Sequence, residues 1–276
     1  MANELEPFAR KTGQSFPIVL ARTINAWTEF GKVPDLARLE TNLQEVLNTY
    51  QTAQFGFWVV ISEAELSLVD LYRGDWAEAL SHAQASCRSE PGSSSEGVGA
   101  GTLFRQMAYA GDRTGALASF DENRKWMPRE GQKNPRGSWS MLALVIEGFA
   151  MLGERLRAAE LYPLARELIS TGAVALWPIS RLTQTVAGIA AAAAHEWKAA
   201  EDHFKTALQQ AESFPNRLEQ AEIHRFHAVM LIDRAGAGDR ETARKLLSEA
   251  LETYTHIGMP RHIEMARTLL DRAASR

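Results

Sequence analysis

The sequence predicts an all-α chain folded as an α-solenoid of about six helical hairpins closed by a C-terminal capping helix. Three observations predict it. The first is a recurring punctuation: a glycine, an acidic residue, a gap of three, then an alanine that opens an apolar helical stripe. It is clearest at Gly74-Asp75 with Ala79, Gly111-Asp112 with Ala116, Gly153-Glu154 with Ala158, and Gly238-Asp239 with Ala243. A weaker copy runs His195-Glu196 to Ala200, and Gly31-Lys32 is an eroded first one. The second is the spacing: copies begin at 31, 74, 111, 153, 195 and 238. A period near forty residues marks a repeat array in which each unit buries its apolar face on its neighbours. The third is that no stretch sustains the two-residue alternation of a strand.

Taken in order, Ile18, Leu20, Ala21, Ile24, Trp27 and Phe30 recur at helical spacing, and Gly31 with Pro34 ends that helix. The next helix carries Leu36, Leu39, Leu43, Val46, Leu47 and Tyr50 on one face. Pairs then follow in the same rhythm: 57–72 with 76–87, 98–109 with 114–126, 139–152 with 156–169, 179–195 with 198–211, and 218–234 with 240–254. The repeats fall at 14–53, 55–90, 95–128, 137–172, 177–214 and 216–256 within one domain spanning 1–276, and a cap occupies 260–276. In that cap Ile263, Ala266, Leu269, Leu270 and Ala273 share a face. The connections at 90–95 and 128–137 are rich in turn residues and are expected on the surface. Leu5 to Arg10 reads as a helix without its partner, so further repeats are expected before Met1.

The alanines have a steric reason. Where two helices cross closely, a side chain larger than methyl holds them apart. Ala79, Ala116, Ala158, Ala200 and Ala243 all lie five residues after the glycine position. Ala83, Phe120, Tyr162, Phe204 and Leu247 follow four later, and Ala165, Ala207 and Ala250 are small again three beyond.

This small, large, small pattern resembles the second helix of the tetratricopeptide repeat, with the glycine matching the turn before it. The copies run about 42 residues rather than 34. The longer unit is similar to the C-terminal arrays of bacterial multidomain signalling ATPases, class III nucleotide cyclases and LuxR-type regulators. The residues carrying that likeness are Phe16-Pro17 leading to Ala26-Trp27, Ala64-Glu65-Leu66 through Tyr72 to Trp76, Gln220 to Arg225, Gly238 to Arg240, and Tyr254 with Gly258 to His262. The resemblance implies a right-handed superhelix whose first helices line a concave groove. Alignment on the glycines sends Asn25, Glu29, Leu68, Tyr72, Arg105, Tyr109, Glu147, Met151 and Ile189 into that groove.

The composition narrows the function. A net charge of −4 gives no global basic field, so direct nucleic-acid binding is not expected. The run Val186 to Ala194 is too short to span a bilayer, and the N-terminus lacks an apolar leader, so no membrane contact is expected. The single cysteine, Cys87, fits a reducing cytoplasm. No Gly-x-x-x-x-Gly-Lys-Ser/Thr loop occurs, so an ATPase or cyclase activity would belong to a parent domain outside this chain. His224 and His227 lie three apart on one helix, but their spacing is not that of a zinc helix. The segment from Arg124 to Arg136 interleaves basic residues with Trp126, diluted by Asp121, Glu122 and Glu130, and reads as a solvated turn. Trp58, Trp76, Trp139, Trp177 and Trp197 recur at related places and are expected to pack between repeats. No catalytic residue, cofactor or metal is assigned. The expected role is non-catalytic recognition of a protein or peptide, or contact with other domains of a parent chain. The alternative is a metabolite sensed in the same groove, and an enzyme ranks third.

Overall fold

The structure, a computed structural model, describes residue 11 and residues 15–88, 95–178, 181–214 and 216–275. The expected helix before residue 11 and most of the 90–95 connection lie outside the described residues. The described chain is predominantly helical, as the apolar periodicity predicts. Helix α1 (Ser15–Lys32) precedes α2 (Leu36–Thr52), which starts where Asp35 caps the Arg38 N–H at 3.0 Å. Then come α3 (Gly56–Arg73), α4 (Trp76–Ser86), α5 (Val98–Tyr109) and α6 (Arg113–Asn123), the last running into a 3-10 turn at Arg124–Trp126. Next are α7 (Arg136–Leu152), α8 (Arg155–Glu160) and α9 (Tyr162–Ser170). After a short hairpin, the chain continues through α10 (Thr183–Ala193), α11 (Trp197–Ser213), α12 (Arg217–Arg234), α13 (Asp239–Ile257) and α14 (Pro260–Ala274).

The helices divide into two layers by how much of their circumference is covered. From Val60 to Tyr72 every residue of α3 is buried, and α5, α7, α10 and α12 are buried nearly all round. By contrast α4, α6, α11 and α13 bury a single stripe. Such a stripe suits an outer helix, whose other face meets water. Ala79, Ala116, Ala200 and Ala243 sit in those stripes, Ala158 is the buried residue of the short α8, and all five are buried. The crossing of α10 and α11 is close enough that a Cβ at Gly188 would lie 2.7 Å from the Phe204 ring, and between the covered helices α5 and α7 one at Gly148 would lie 2.5 Å from Phe104.

The repeated glycines serve the backbone. Gly74 and Gly153 end α3 and α7 in the left-handed region, which an L side chain adopts only under strain. His195, at the glycine position of the weaker copy, takes the same conformation with φ of 60°. Gly31 does not terminate its helix, which runs one residue further to Lys32.

Most helices pack on the next, α5 packs on α7 across α6, and the succession then returns on itself. Helix α14 packs on α13 and also reaches α12 and α3, while α12 touches α1. Leu36, Leu68 and Tyr72 thus share one core with Leu218, Tyr254, Met259 and Ala266. At the seam a Cβ on Gly74 would lie 2.9 Å from the Pro260 Cγ, and the Arg261 guanidinium lies 5.1 Å from the centre of the Trp76 ring.

Two elements depart from the sequence reading. The helix expected over 156–169 is two, because Pro163 has no N–H to return to the turn before it; Leu161 is the break. The helix expected from Ile179 begins at Thr183, and β1 (Ala175–Leu176) pairs antiparallel with β2 (Arg181–Leu182) ahead of it. Two-residue strands are too short to show alternation. Ile179 and Ser180 lie outside the described residues.

Candidate functional site

A pocket of about 410 Å³ opens where the last turns of α1, the β1–β2 hairpin and the α11–α12 junction meet. Its walls are mainly apolar: Trp27 and Phe30 from α1, Leu176 and Trp177 from the hairpin, Phe214 after α11, and Leu218 from α12. Tyr72 of α3 contributes a buried aromatic wall, and Lys32 lies at the edge. Elements far apart in sequence therefore enclose one cavity, of a volume suited to a small organic molecule.

The two indole walls are held by one carboxylate. Trp27 Nε1 and Trp177 Nε1 each donate to Oε1 of Glu65 at 2.8 Å. Glu65 is 0% exposed, and its other oxygen has no partner. Burial pushes its pKa up to about 8, outweighing the two indole bonds and the more distant Arg136. Trp177 is also braced from behind: its ring centre is 5.4 Å from that of Trp58, and Arg136 donates to its carbonyl at 2.6 Å. Trp58 in turn stacks on Tyr50.

Behind Tyr72 lies a buried ionic cluster. Arg181 at the start of β2 reaches Glu147 at 3.0 Å, Glu219 at 2.6 Å and Glu222 at 3.1 Å. Arg225 donates to Glu222 at 2.7 Å and to the Tyr109 hydroxyl at 3.0 Å, and that hydroxyl donates to Glu147 at 2.8 Å. Tyr254 donates to Glu222 at 2.5 Å. Oε1 of Glu219 accepts from Thr185 and from the Leu182 N–H, which fixes the hairpin to α12. Burial raises each carboxyl pKa, but the guanidinium charges outweigh it at Glu147 and Glu222 and hold both low; at Glu219 burial prevails. Buried Arg105 adds positive charge beside Glu147. His262 packs among the Tyr72, Tyr109 and Tyr254 rings with neither nitrogen bonded, and burial lowers its pKa to about 4.

This arrangement locates the residues assigned to a concave groove. Leu68, Tyr72, Arg105, Tyr109, Glu147 and Ile189 are buried, so they line an interior and not an open channel. The reason is the seam, which brings α14 and α1 against the inner helices. Met151 is half-buried, with its sulfur 3.4 Å from Arg225. Asn25 is half-buried, and Glu29 is exposed and paired with Arg38. Of the tryptophans assigned to packing between repeats, Trp139 is buried, whereas Trp58, Trp76, Trp177 and Trp197 are half-buried. The histidine pair diverges: His224 faces Glu249 and His227 stacks on Phe204.

Sequence reasoning missed Glu65, Arg181, Glu219, Glu222, Arg225 and His262 as a group. The available signal was a carboxylate flanked by apolar or small residues inside a helix, Glu65 between Ala64 and Leu66, or Glu147 between Ile146 and Gly148. A carboxylate buried there needs a partner or a proton. No protein-family model matches the chain, and no curated protein matches it in sequence. No helix among the described residues is long and apolar enough to cross a membrane.

Proposed function

We propose that this chain is a non-catalytic regulatory module, a tetratricopeptide-like right-handed solenoid, that senses a small and largely apolar ligand. The observation that carries this reading is the pocket bounded by Trp27, Tyr72, Trp177, Phe214 and Leu218. A ligand there would touch the first, second, fifth and sixth hairpins together, so occupancy would favour one arrangement of the array over another. In a parent chain that preference would act on a signalling ATPase, a cyclase or a DNA-binding head. Support for the repeat class comes from the burial of the five periodic alanines. The cluster behind Tyr72 supplies rigidity, since its charges are spent on one another.

A protein or peptide partner is the second reading, and one observation favours it. Phe214 and Val174, both lining the pocket, are 64% and 40% exposed. A partner could cover them while inserting an apolar side chain. Six of the nine residues assigned to a concave groove are buried and offer such a partner little surface.

The test is a thermal-shift screen of metabolites, run beside capture of proteins from the native host. A ligand at a hundred times its Kd stabilises the fold by about 2.7 kcal/mol. Binding should also change tryptophan fluorescence, since Trp27 and Trp177 are walls. Ala175→Trp, at an exposed hairpin position that lines the pocket, should abolish both responses without lowering the melting temperature of the free protein. A ligand whose effect survives Ala175→Trp sits elsewhere and ends the proposal.

A further inference from the structure

The basic segment after α6 does not behave as one solvated turn. Arg136 turns away to the carbonyl of Trp177, its guanidinium 4.8 Å from the centre of that ring. Arg124, Lys125 and Arg129 instead line a separate pocket of about 510 Å³, and Arg157 of α8 joins them from the opposite side. Among the described residues none of the four has an ion-pair partner, in contrast to Arg113 with Glu154, Arg155 with Asp233 and Arg234 with Asp239. Lys125 lies over Trp126 and Arg157 over Phe149, so both heads are oriented by aromatic faces and not by carboxylates. Asp121 and Glu160 also line the pocket, which leaves it with more cations than anions on a chain of net charge −4.

The loop that carries Arg129 is tied down. The Asn134 carboxamide accepts from the Arg129 N–H and donates to the carbonyls of Arg129 and Gln132, and the Gly131 N–H donates to Glu167. The backbone that carries Arg129 is thereby held in place before any ligand arrives, which reduces the ordering cost of binding. Beneath them Leu161, Leu164 and Met127 provide an apolar surface.

We propose that this pocket binds a small phosphorylated organic molecule. The phosphate is held by Arg124, Lys125, Arg129 and Arg157, the apolar portion lies on Leu161 and Leu164, and hydroxyl groups donate to Asp121 or Glu160. Guanidinium groups suit the ligand because they match phosphate oxygens in a two-pronged fork. The concave shape favours a free metabolite over a phosphorylated protein segment. This site is separate from the apolar pocket beside Trp177, and each can fail without the other.

The test uses the full chain and inorganic pyrophosphate as probe, with orthophosphate, sulfate and a phosphoserine peptide as comparisons at constant ionic strength. Calorimetry should show saturable pyrophosphate binding, weaker orthophosphate binding and little response to sulfate. Arg157→Gln should weaken pyrophosphate roughly tenfold or more, the loss of one charge-assisted hydrogen bond, with the melting temperature of the free protein unchanged. Arg124→Gln with Arg129→Gln should abolish binding, whereas the exposed Arg267→Gln should leave it intact. Absent saturation, indifference to Arg157→Gln, or an equal loss in Arg267→Gln would overturn the proposal. So would a phosphopeptide that binds more tightly than pyrophosphate through the same arginines.

Discussion

Glu65 in α3 and Glu222 in α12 are both 0% exposed, yet their environments drive them toward opposite charge states. At Glu65 two indole N–H groups meet one oxygen, the other oxygen is unpartnered, and burial raises the pKa to about 8. At Glu222 burial pushes the same way, but Arg225 and Arg181 lie in contact and hold the carboxyl far below its usual range. Depth alone does not decide whether a buried acid is charged; the partner does. The consequence is two kinds of buried joint. One is a near-neutral polar latch tying α1 and the hairpin loop to α3, at the wall of a pocket. The other is a charge-balanced knot that fixes α7, β2 and α12 to one another.

The largest effect should come from the knot. Arg181→Met removes the cation shared by Glu147, Glu219 and Glu222 and leaves carboxylates buried without it. Breaking one side of such a network costs about 3–5 kcal/mol. Chemical denaturation at neutral pH would measure it. A loss below about 1 kcal/mol would mean that the carboxylates are already protonated, and the contrast with Glu65 would disappear. Adding Glu147→Gln to Arg181→Met should recover part of the loss, because Glu147 is a carboxylate that Arg181 holds in the charged form and one uncompensated charge is then removed.

The two joints were unequally legible in the sequence. Helical periodicity was readable because apolar stripes at Leu36, Leu39, Leu43, Val46 and Leu47 depend only on local spacing. The alanine register was readable for a similar reason: a steric requirement repeats whenever the same crossing repeats. The closure was not readable. It joins Gly74 to Pro260 and Tyr72 to His262, contacts set by the accumulated geometry of the long stretch of chain between them and not by any local motif. The groove residues illustrate the limit. Tyr109 and Glu147 are buried and hydrogen-bonded to each other, and no local pattern in the sequence shows that their surroundings are filled. Glu65 was hidden differently. Its partners, Trp27 and Trp177, lie 38 and 112 residues away, and only the fold reveals that two tryptophans share one acceptor.

A smaller effect should follow at the latch, and here the choice of substitution matters. Glu65→Ala removes the acceptor of both indole N–H groups and leaves space behind them, at a cost of about 1–3 kcal/mol. Tryptophan emission should shift to the red as the rings of Trp27 and Trp177 loosen. Glu65→Gln retains a carbonyl oxygen in nearly the same place and should keep both hydrogen bonds. Equal destabilisation by the two variants would show that the carboxylate's charge, and not its role as acceptor, holds the pocket walls.

The smallest effect concerns pH, and its sign distinguishes the joints most directly. A carboxyl whose pKa is raised on folding contributes stability that is complete below its ordinary value. That contribution is lost as pH rises through the folded value, here from about 4.5 to about 8. His262, lowered from about 6.5 to about 4, acts in the reverse sense: its contribution is complete above 6.5 and is lost as pH falls toward 4. The histidine contributes alike to the natural protein and to Glu65→Gln, so subtracting the stability curve of the variant from that of the natural protein isolates Glu65. The difference should fall by on the order of 1 kcal/mol between pH 7 and 8. A difference curve flat across that interval would place a settled negative charge at Glu65. The latch would then be a second ionised site, and the protonation contrast with Glu222 would be lost.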